Sequence, residues 1–372
     1  MFSRQSWLET FIGLATIDSP SRNERKLVDR LKGELLAYGL PLYEDSAAQV
    51  VNGSAGNLVV EVPGKEDLST LLLSAHLDRV DPGQGIEPVV TGDYLQSKGE
   101  TVLGADDLAG VTTIMELLRI LHKQQIDNHP LRIIFTVAEE AGLLGSRTLK
   151  PERLAGIDYG FVLDAEGGTG TVIHRSPGKY RFNALIKGKS AHAGIAPDSG
   201  VNAIKISSLA ISRMKLGQID KETTANIGVI RGGVARNIVP DLVELEGEVR
   251  SLSPLKLQQQ IEEMQSIIDH YARKFQGQVD YNIEQLYSNF FLEPDLGLFD
   301  LVYRAAAEAG LEVALRESGG GSDANIFNEL GLPTVNLGLP IDNVHSTEEV
   351  LKISDMEPLM EFLLALVRVD RG

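Results

Sequence analysis

The chain has 372 residues, no cysteine, a hydrophobic fraction of 43% and a formal charge of -17. Without cysteine neither disulfides nor thiolate metal ligands are possible, and the acidic balance disfavours nucleic acid and anionic membranes as partners. No apolar run is long enough to span a bilayer, so the expectation is a cytoplasmic protein whose length allows two domains with sizeable cores.

The N-terminal stretch MFSRQSWLETFIGLATIDSPSRNE is interrupted by charges as an amphipathic helix would be. Asn57 to Val62, Thr70 to Ser74, Leu131 to Ala138, Tyr159 to Leu163 and Thr334 to Leu337 are short aliphatic runs bounded by turn signals, which predicts buried strands. Leu108 to Lys123 has helical apolar periodicity. The alternation predicts an α/β domain with a mixed, mostly parallel sheet flanked by helices. In such sheets ligands bind outside the carboxyl ends of the strands. The rhythm changes from Lys179 onward. Lys179 to Lys187, Thr224 to Ile230, Leu242 to Arg250 and Gln278 to Tyr287 read as strands, while Val201 to Lys215 and Pro254 to Phe275 read as helices. That β-α-β-β-α-β order predicts a ferredoxin-like α+β lid. The expected organisation is a catalytic domain of residues 1–177 and 290–372, with residues 178–289 inserted as the lid.

Polar residues arrive at the ends of the apolar runs. His76-Leu77-Asp78 follows one strand; His76 offers a metal ligand and Asp78 a carboxylate for its other ring nitrogen. Taken alone, such a pair is also an ordinary surface feature. Gly104-Ala105-Asp106-Asp107-Leu108-Ala109-Gly110 opens the helix, where aspartates cap free N–H groups; the flanking glycines equally allow a tight backbone from which Asp106 bridges two cations. Glu139 and Glu140 end LRIIFTVA, where adjacent carboxylates are costly unless neutralised. Glu140 is read as a metal ligand and Glu139 as the general base. Asp164 ends YGFVL, and His345 lies in the loop after TVNLG. Two histidines and three carboxylates make a mixed N/O shell suited to two zinc ions, and manganese or cobalt also fit.

The words SAHLD, LGADDLAG, AEEAG, LDAEG, SAHAG, GGGSDA and NVHSTEE, in this order across nearly the whole chain, resemble the M20 family of metallopeptidases and within it the peptidase T group. The resemblance implies that His76 and Asp164 hold one metal, that Glu140 and His345 hold the other, that Asp106 bridges them and that Glu139 is the base. It also implies a homodimer formed through the lid, with a lid histidine reaching the partner's site. Two departures, Leu108 where lysine is common and the longer LDAEG, leave the peptide preference open.

His192, in Lys189-Ser190-Ala191-His192-Ala193-Gly194, is the candidate donor to the oxyanion of a tetrahedral intermediate; on residues alone it also reads as a solvated loop histidine. Arg250 offers a planar fork for a peptide carboxylate, and Asn237 offers hydrogen bonds to a peptide backbone. A strand-end salt bridge and a turn asparagine are equally good readings of those two. Gly319-Gly320-Gly321-Ser322-Asp323 precedes a helix, and Gly320 and Ser322 are expected substrate contacts through backbone N–H groups. Gly188-Lys189-Ser190 lacks the upstream glycine of a phosphate loop. His122, His129, His174 and His270 have no carboxylate motif around them.

The expected activity is hydrolysis of short peptides. The alternatives are an N-acyl amino-acid amidohydrolase or a carboxypeptidase on the same scaffold, and a non-catalytic metal-binding scaffold protein.

Overall fold

The structure, a computed structural model, describes residues 2–369. It divides into two compact units. The first holds the chain through His174, Phe291–Glu317 and the chain from Ser322 onward; the second is Arg175–Phe290 with Ser318–Gly321.

The first unit is built on a mixed sheet. At its centre the strands Leu131–Thr136, Leu71–His76, Tyr159–Ala165 and Thr334–Gly338 lie side by side and parallel. Leu42–Glu44 and Leu58–Val62 extend one side antiparallel, and Thr171–Ser176 runs antiparallel to Thr334–Gly338 on the other. The residues of Leu71–His76 and Thr334–Gly338 are all buried, as strands covered on both faces must be. The helix Ala105–Gln124 lies against Leu71–His76 and Tyr159–Ala165, and the N-terminal helix Arg4–Ala15 packs on it. Trp7 and Phe11 are fully buried there, and the Trp7 indole N–H donates to Thr113 Oγ1 at 3.2 Å. Each such side chain contributes roughly 1.5–3 kcal/mol by leaving water. Regular helical geometry in Ala105–Gln124 sets in only at Leu108, because Asp106 and Asp107 have non-helical backbone angles. The peptide bond between these two aspartates is cis.

A second, small antiparallel sheet of Ile341–Asp342, Val350–Lys352, Tyr94–Ser97 and Pro88–Thr91 went unanticipated. Strands of two to four residues are too short to carry a periodic signal. Its Ile341–Leu351 pairing closes the loop that carries His345.

In the second unit the strands run Thr223–Gly232, Leu242–Ser251, Gly178–Lys187, Gln278–Tyr287, all antiparallel. This is the ferredoxin-like order, with the first and third strands central. Helices Ala203–Ile211 and Pro254–Lys274 cover one face, burying Ile206, Ala210, Ile261, Met264 and Ile268 against Phe182, Ile186, Val243 and Leu245. No helix among the described residues is long and apolar enough to cross a membrane.

Candidate metal centre

Register brings the polar strand ends together. His76 pairs with Thr136, and Leu163 with Leu337, across parallel neighbours. The segments leaving these strands therefore emerge at one edge of the sheet: Glu139 and Glu140 after Thr136, Asp164 after Leu163, and the His345 loop after Thr334–Gly338.

Asp106 lies at the middle of the cluster. Its Oδ1 is 3.1 Å from His76 Nε2, and its Oδ2 is 3.1 Å from His345 Nε2. His345 Nε2 is also 2.9 Å from Glu140 Oε1, and His76 Nε2 is 3.8 Å from Asp164 Oδ1. Two ligands at about 2.0–2.1 Å from one tetrahedral ion lie ~3.3 Å apart, so both constellations have the spacing of donors around a cation. The ligand atoms of His76, Asp106 and Glu140 all lie within 4.8 Å of one another, as do those of His76, Asp107 and Asp164. Asp107 is the weaker candidate despite that proximity. Its carboxylate accepts the N–H of His76 at 3.0 Å and the N–H of Gly110 at 3.2 Å, so it caps the helix and ties it to the strand end.

Electrostatics point the same way. Burial pushes Glu139 well above the usual carboxylate range, reinforced by Asp323, Glu140 and Asp78. Asp164 is raised by burial and by Asp106. Asp106 is lowered in spite of its burial, because His345 and His76 face its two oxygens. His345 is raised to about 10 by its hydrogen bonds to Asp106 and Glu140. Burial alone would lower His76, yet Asp106 and Asp78 raise it. Buried acids in this number need positive charge beside them, and the donor set fits a pair of divalent ions.

Asp78 differs in detail from expectation. The ring nitrogen Nδ1 of His76 is 3.0 Å from the backbone carbonyl of Asp78 and 3.6 Å from its carboxylate. The carboxylate instead accepts the N–H groups of Glu139 and Glu140 at 2.8 and 3.1 Å and the Ser21 hydroxyl. It thus orients the turn that carries the expected base and one ligand. Glu349 and Asp323 are buried acids beside the cluster to which the sequence pattern assigns no role of their own. Glu349 accepts the N–H groups of Gly104 and Asp106 at 2.8 and 3.0 Å, joining the His345 loop to the Asp106 loop. Asp323 accepts the hydroxyls of Thr136 and Ser146. Glu349 is the second acid of HSTEE, and only its four-residue distance from His345 marks it.

Ser322 requires a correction. It is buried, its hydroxyl accepts the N–H of Ala324 at 3.3 Å, and its own N–H goes to Asn325 Oδ1 at 3.0 Å. It is the N-cap of Asp323–Glu329 in a capping box, so its N–H, the group expected to meet substrate, is held by Asn325. Gly320, in the second unit, gives its N–H to Ser318 Oγ at 3.0 Å, and its carbonyl accepts the Ser176 hydroxyl at 2.8 Å. The N–H groups expected to meet substrate at these positions are spent inside the protein.

The other lid candidates also lie in the second unit. His192 is exposed, and its Nδ1 accepts the N–H groups of Gly194 and Ile195 at 3.2 and 3.1 Å. Two donors at Nδ1 place the ring proton on Nε2, leaving a donor directed away from its own turn. Asn237 is exposed, and its carbonyl accepts the N–H of Ala193 at 2.9 Å, joining it to the His192 turn. Arg250 Nε donates to Glu248 Oε1 at 2.9 Å, and Lys179 holds the other oxygen of Glu248 at 2.7 Å.

Comparison with known proteins places this geometry in a family. The M20 peptidase dimerisation domain matches residues 174–276, and peptidase family M28 matches residues 57–195, the stretch containing His76, Asp106, Glu139, Glu140 and Asp164. The crystal structure of a tripeptidase from Staphylococcus aureus is 38% identical with a TM-score of 0.94, covering 99% of this chain and 98% of that one. The crystal structure of aminopeptidase PepT from Bacillus cereus is 36% identical with a TM-score of 0.90, covering 98% of each chain. An uncharacterised protein of Bacillus subtilis, YqjE, is 36% identical across 99% of both chains. With likeness of this degree over its whole length, the chain belongs to the M20 family of metallopeptidases and is a metallo-exopeptidase resembling peptidase T.

Proposed function

We propose that the protein hydrolyses short peptides, with tripeptides as its substrate class and release from the amino end, at a dinuclear zinc site. The observation that carries this reading is Asp106, whose two oxygens each face a different imidazole at 3.1 Å. His76 and Asp164 would hold one ion, His345 and Glu140 the other, and Asp106 would be shared. When bound, such an ion pair polarises a carbonyl and acidifies a water. Glu139 takes the water's proton on its carboxylate and returns it to the nitrogen of the departing amine. Asp78, holding the N–H groups of both glutamates, keeps that carboxylate aimed. The similarity to a tripeptidase and to an aminopeptidase supports substrates of this length.

In this reading the lid supplies the remaining polar contacts. His192, with its proton on Nε2, donates to the oxyanion in its own or a partner's site. The two Nη groups of Arg250, whose Nε is already held by Glu248, receive a peptide carboxylate. Asn237 binds peptide backbone. A homodimer through the lid is supported by the dimerisation-domain match and by the edge strand Thr223–Gly232. Beyond Ala225 this edge is unpaired among the described residues, and Ile230 and Val234 near it are 54% and 79% exposed.

Replacing Glu139 with alanine tests the proposal. Metal content should stay at two ions per chain while tripeptide turnover falls by roughly 10²–10⁴-fold, the usual contribution of a general base. Near-normal turnover would exclude the role, and faster cleavage of acylated amino acids than of tripeptides would redirect the substrate class.

A further inference from the structure

Four consecutive N–H groups follow the strand Leu131–Thr136, and each is received by a side chain. Val137 donates to Asn57 Oδ1 at 3.1 Å, Ala138 to Glu24 Oε1 at 3.0 Å, Glu139 to Asp78 Oδ1 at 2.8 Å and Glu140 to Asp78 Oδ2 at 3.1 Å. Three separate segments of chain therefore clamp one turn. The turn is strained, since Ala138 has φ 52, in the left-handed region that a Cβ disfavours. Such a conformation persists only where its surroundings over-determine it.

Glu24 is the unexplained member of that clamp. It is fully buried. Its Oε1 also accepts the N–H of Arg22 at 2.7 Å, while Oε2 has no hydrogen-bond partner among the described residues. Burying a carboxyl with one oxygen unpartnered is unfavourable, and what it secures is backbone N–H groups, those of Arg22 and Ala138 beside its own. An apolar side chain would fill the space without receiving the Ala138 N–H, and aspartate is one methylene too short.

We propose that Glu24 is a positioning residue for the reaction: it locks the left-handed turn at Ala138 and so fixes the backbone from which Glu139 reaches the substrate. The proposal rests on Glu139 being the base. A displacement of about 1 Å at a reacting group costs on the order of 10²-fold in rate, and one lost anchor in a strained turn permits a shift of that size.

The test compares Glu24→Ala, Glu24→Gln and Glu24→Asp with the parent on a tripeptide, each also in a Glu139→Ala background. Glu24→Ala should lower kcat about 10–100-fold, with KM within about twofold and metal content per chain unchanged. Glu24→Gln, whose amide oxygen can accept both N–H groups, should recover to within about threefold. In the Glu139→Ala background, Glu24→Ala should lower the residual rate by less than about twofold, because a residue acting through Glu139 has nothing left to position. If Glu24→Ala does not fold, Glu24→Asp takes its place and should show the same kcat-specific loss. Parent-like kcat in Glu24→Ala or Glu24→Asp, glutamine as damaging as alanine, or an equal loss with and without Glu139 would each overturn the proposal. Near-normal turnover of Glu139→Ala by itself would instead overturn the base assignment beneath it.

Discussion

Gly110 gives a prediction in which two physical effects have opposite sign. It lies in the first turn of the helix behind the Asp106 loop, where alanine would add up to about 1 kcal/mol of stability if propensity alone decided. The packing forbids that outcome. A Cβ on Gly110 would lie 2.3 Å from Asp107 Oδ1 and 2.4 Å from the carbonyl oxygen of Leu163. Neither neighbour can yield cheaply. Leu163 is in the buried strand Tyr159–Ala165, and the Asp107 carboxylate holds the N–H groups of His76 and Gly110. Either the helix lifts from the sheet, an overpacking cost of about 1–3 kcal/mol, or Asp107 rotates and leaves buried donors unpaired at about 1–3 kcal/mol. After the propensity gain of up to about 1 kcal/mol, Gly110→Ala should lose on the order of 1 kcal/mol. Urea unfolding of metal-stripped parent and variant measures this, and titration with zinc should show weaker binding in the variant because His76 and Asp106 are displaced together. A variant as stable as the parent, or more stable, would refute the packing argument.

Replacing Asp106 with alanine should reduce bound metal from two ions to one or none per chain at equal free zinc, since the shared ligand is lost; two ions at unchanged affinity would remove the bridging role. Burial, then the charge of Asp78, raises Glu24 from 4.5 to about 7. The folded chain therefore retains a proton there that the unfolded chain releases, and this group costs stability as pH climbs from 4.5 through about 7, by about 3 kcal/mol in all. Glu24→Gln cannot titrate, so in urea unfolding it should gain on the parent by most of that amount between about pH 5 and about pH 8. A difference that stays constant with pH would count against a buried, protonated Glu24.

The candidate metal ligands stand out in the sequence because each lies just beyond an aliphatic run or in a glycine-flanked turn, so hydrophobic pattern and polar residue type mark the same place. His76, Glu140 and Asp164 are of this kind. Glu24 and Asn57 were not legible. They precede elements of their own and meet the Val137–Glu140 turn only after the sheet has formed, leaving no local trace of the N–H groups they accept. Ser322 shows the reverse error. A glycine-rich turn before a helix was read as a peptide contact, whereas S-D-A-N is a capping box, and the serine satisfies its own helix. Asp107, legible as a helix cap, serves as cap and also as strand tie.

Sequence alone determined the α/β alternation, the inserted ferredoxin-like order and the identities of the acids and imidazoles, because burial on a strand or helix imposes a period that composition cannot disguise. Only the tertiary structure decided which oxygens those groups would face. Parallel register brings His76 beside Thr136 and sends the following glutamates to the same edge; a two-residue strand holds the His345 loop closed; and buried carboxylates from distant segments receive the N–H groups that the sheet leaves over. Backbone donors carry no sequence signature, so their partners become visible only when the chain has folded around them.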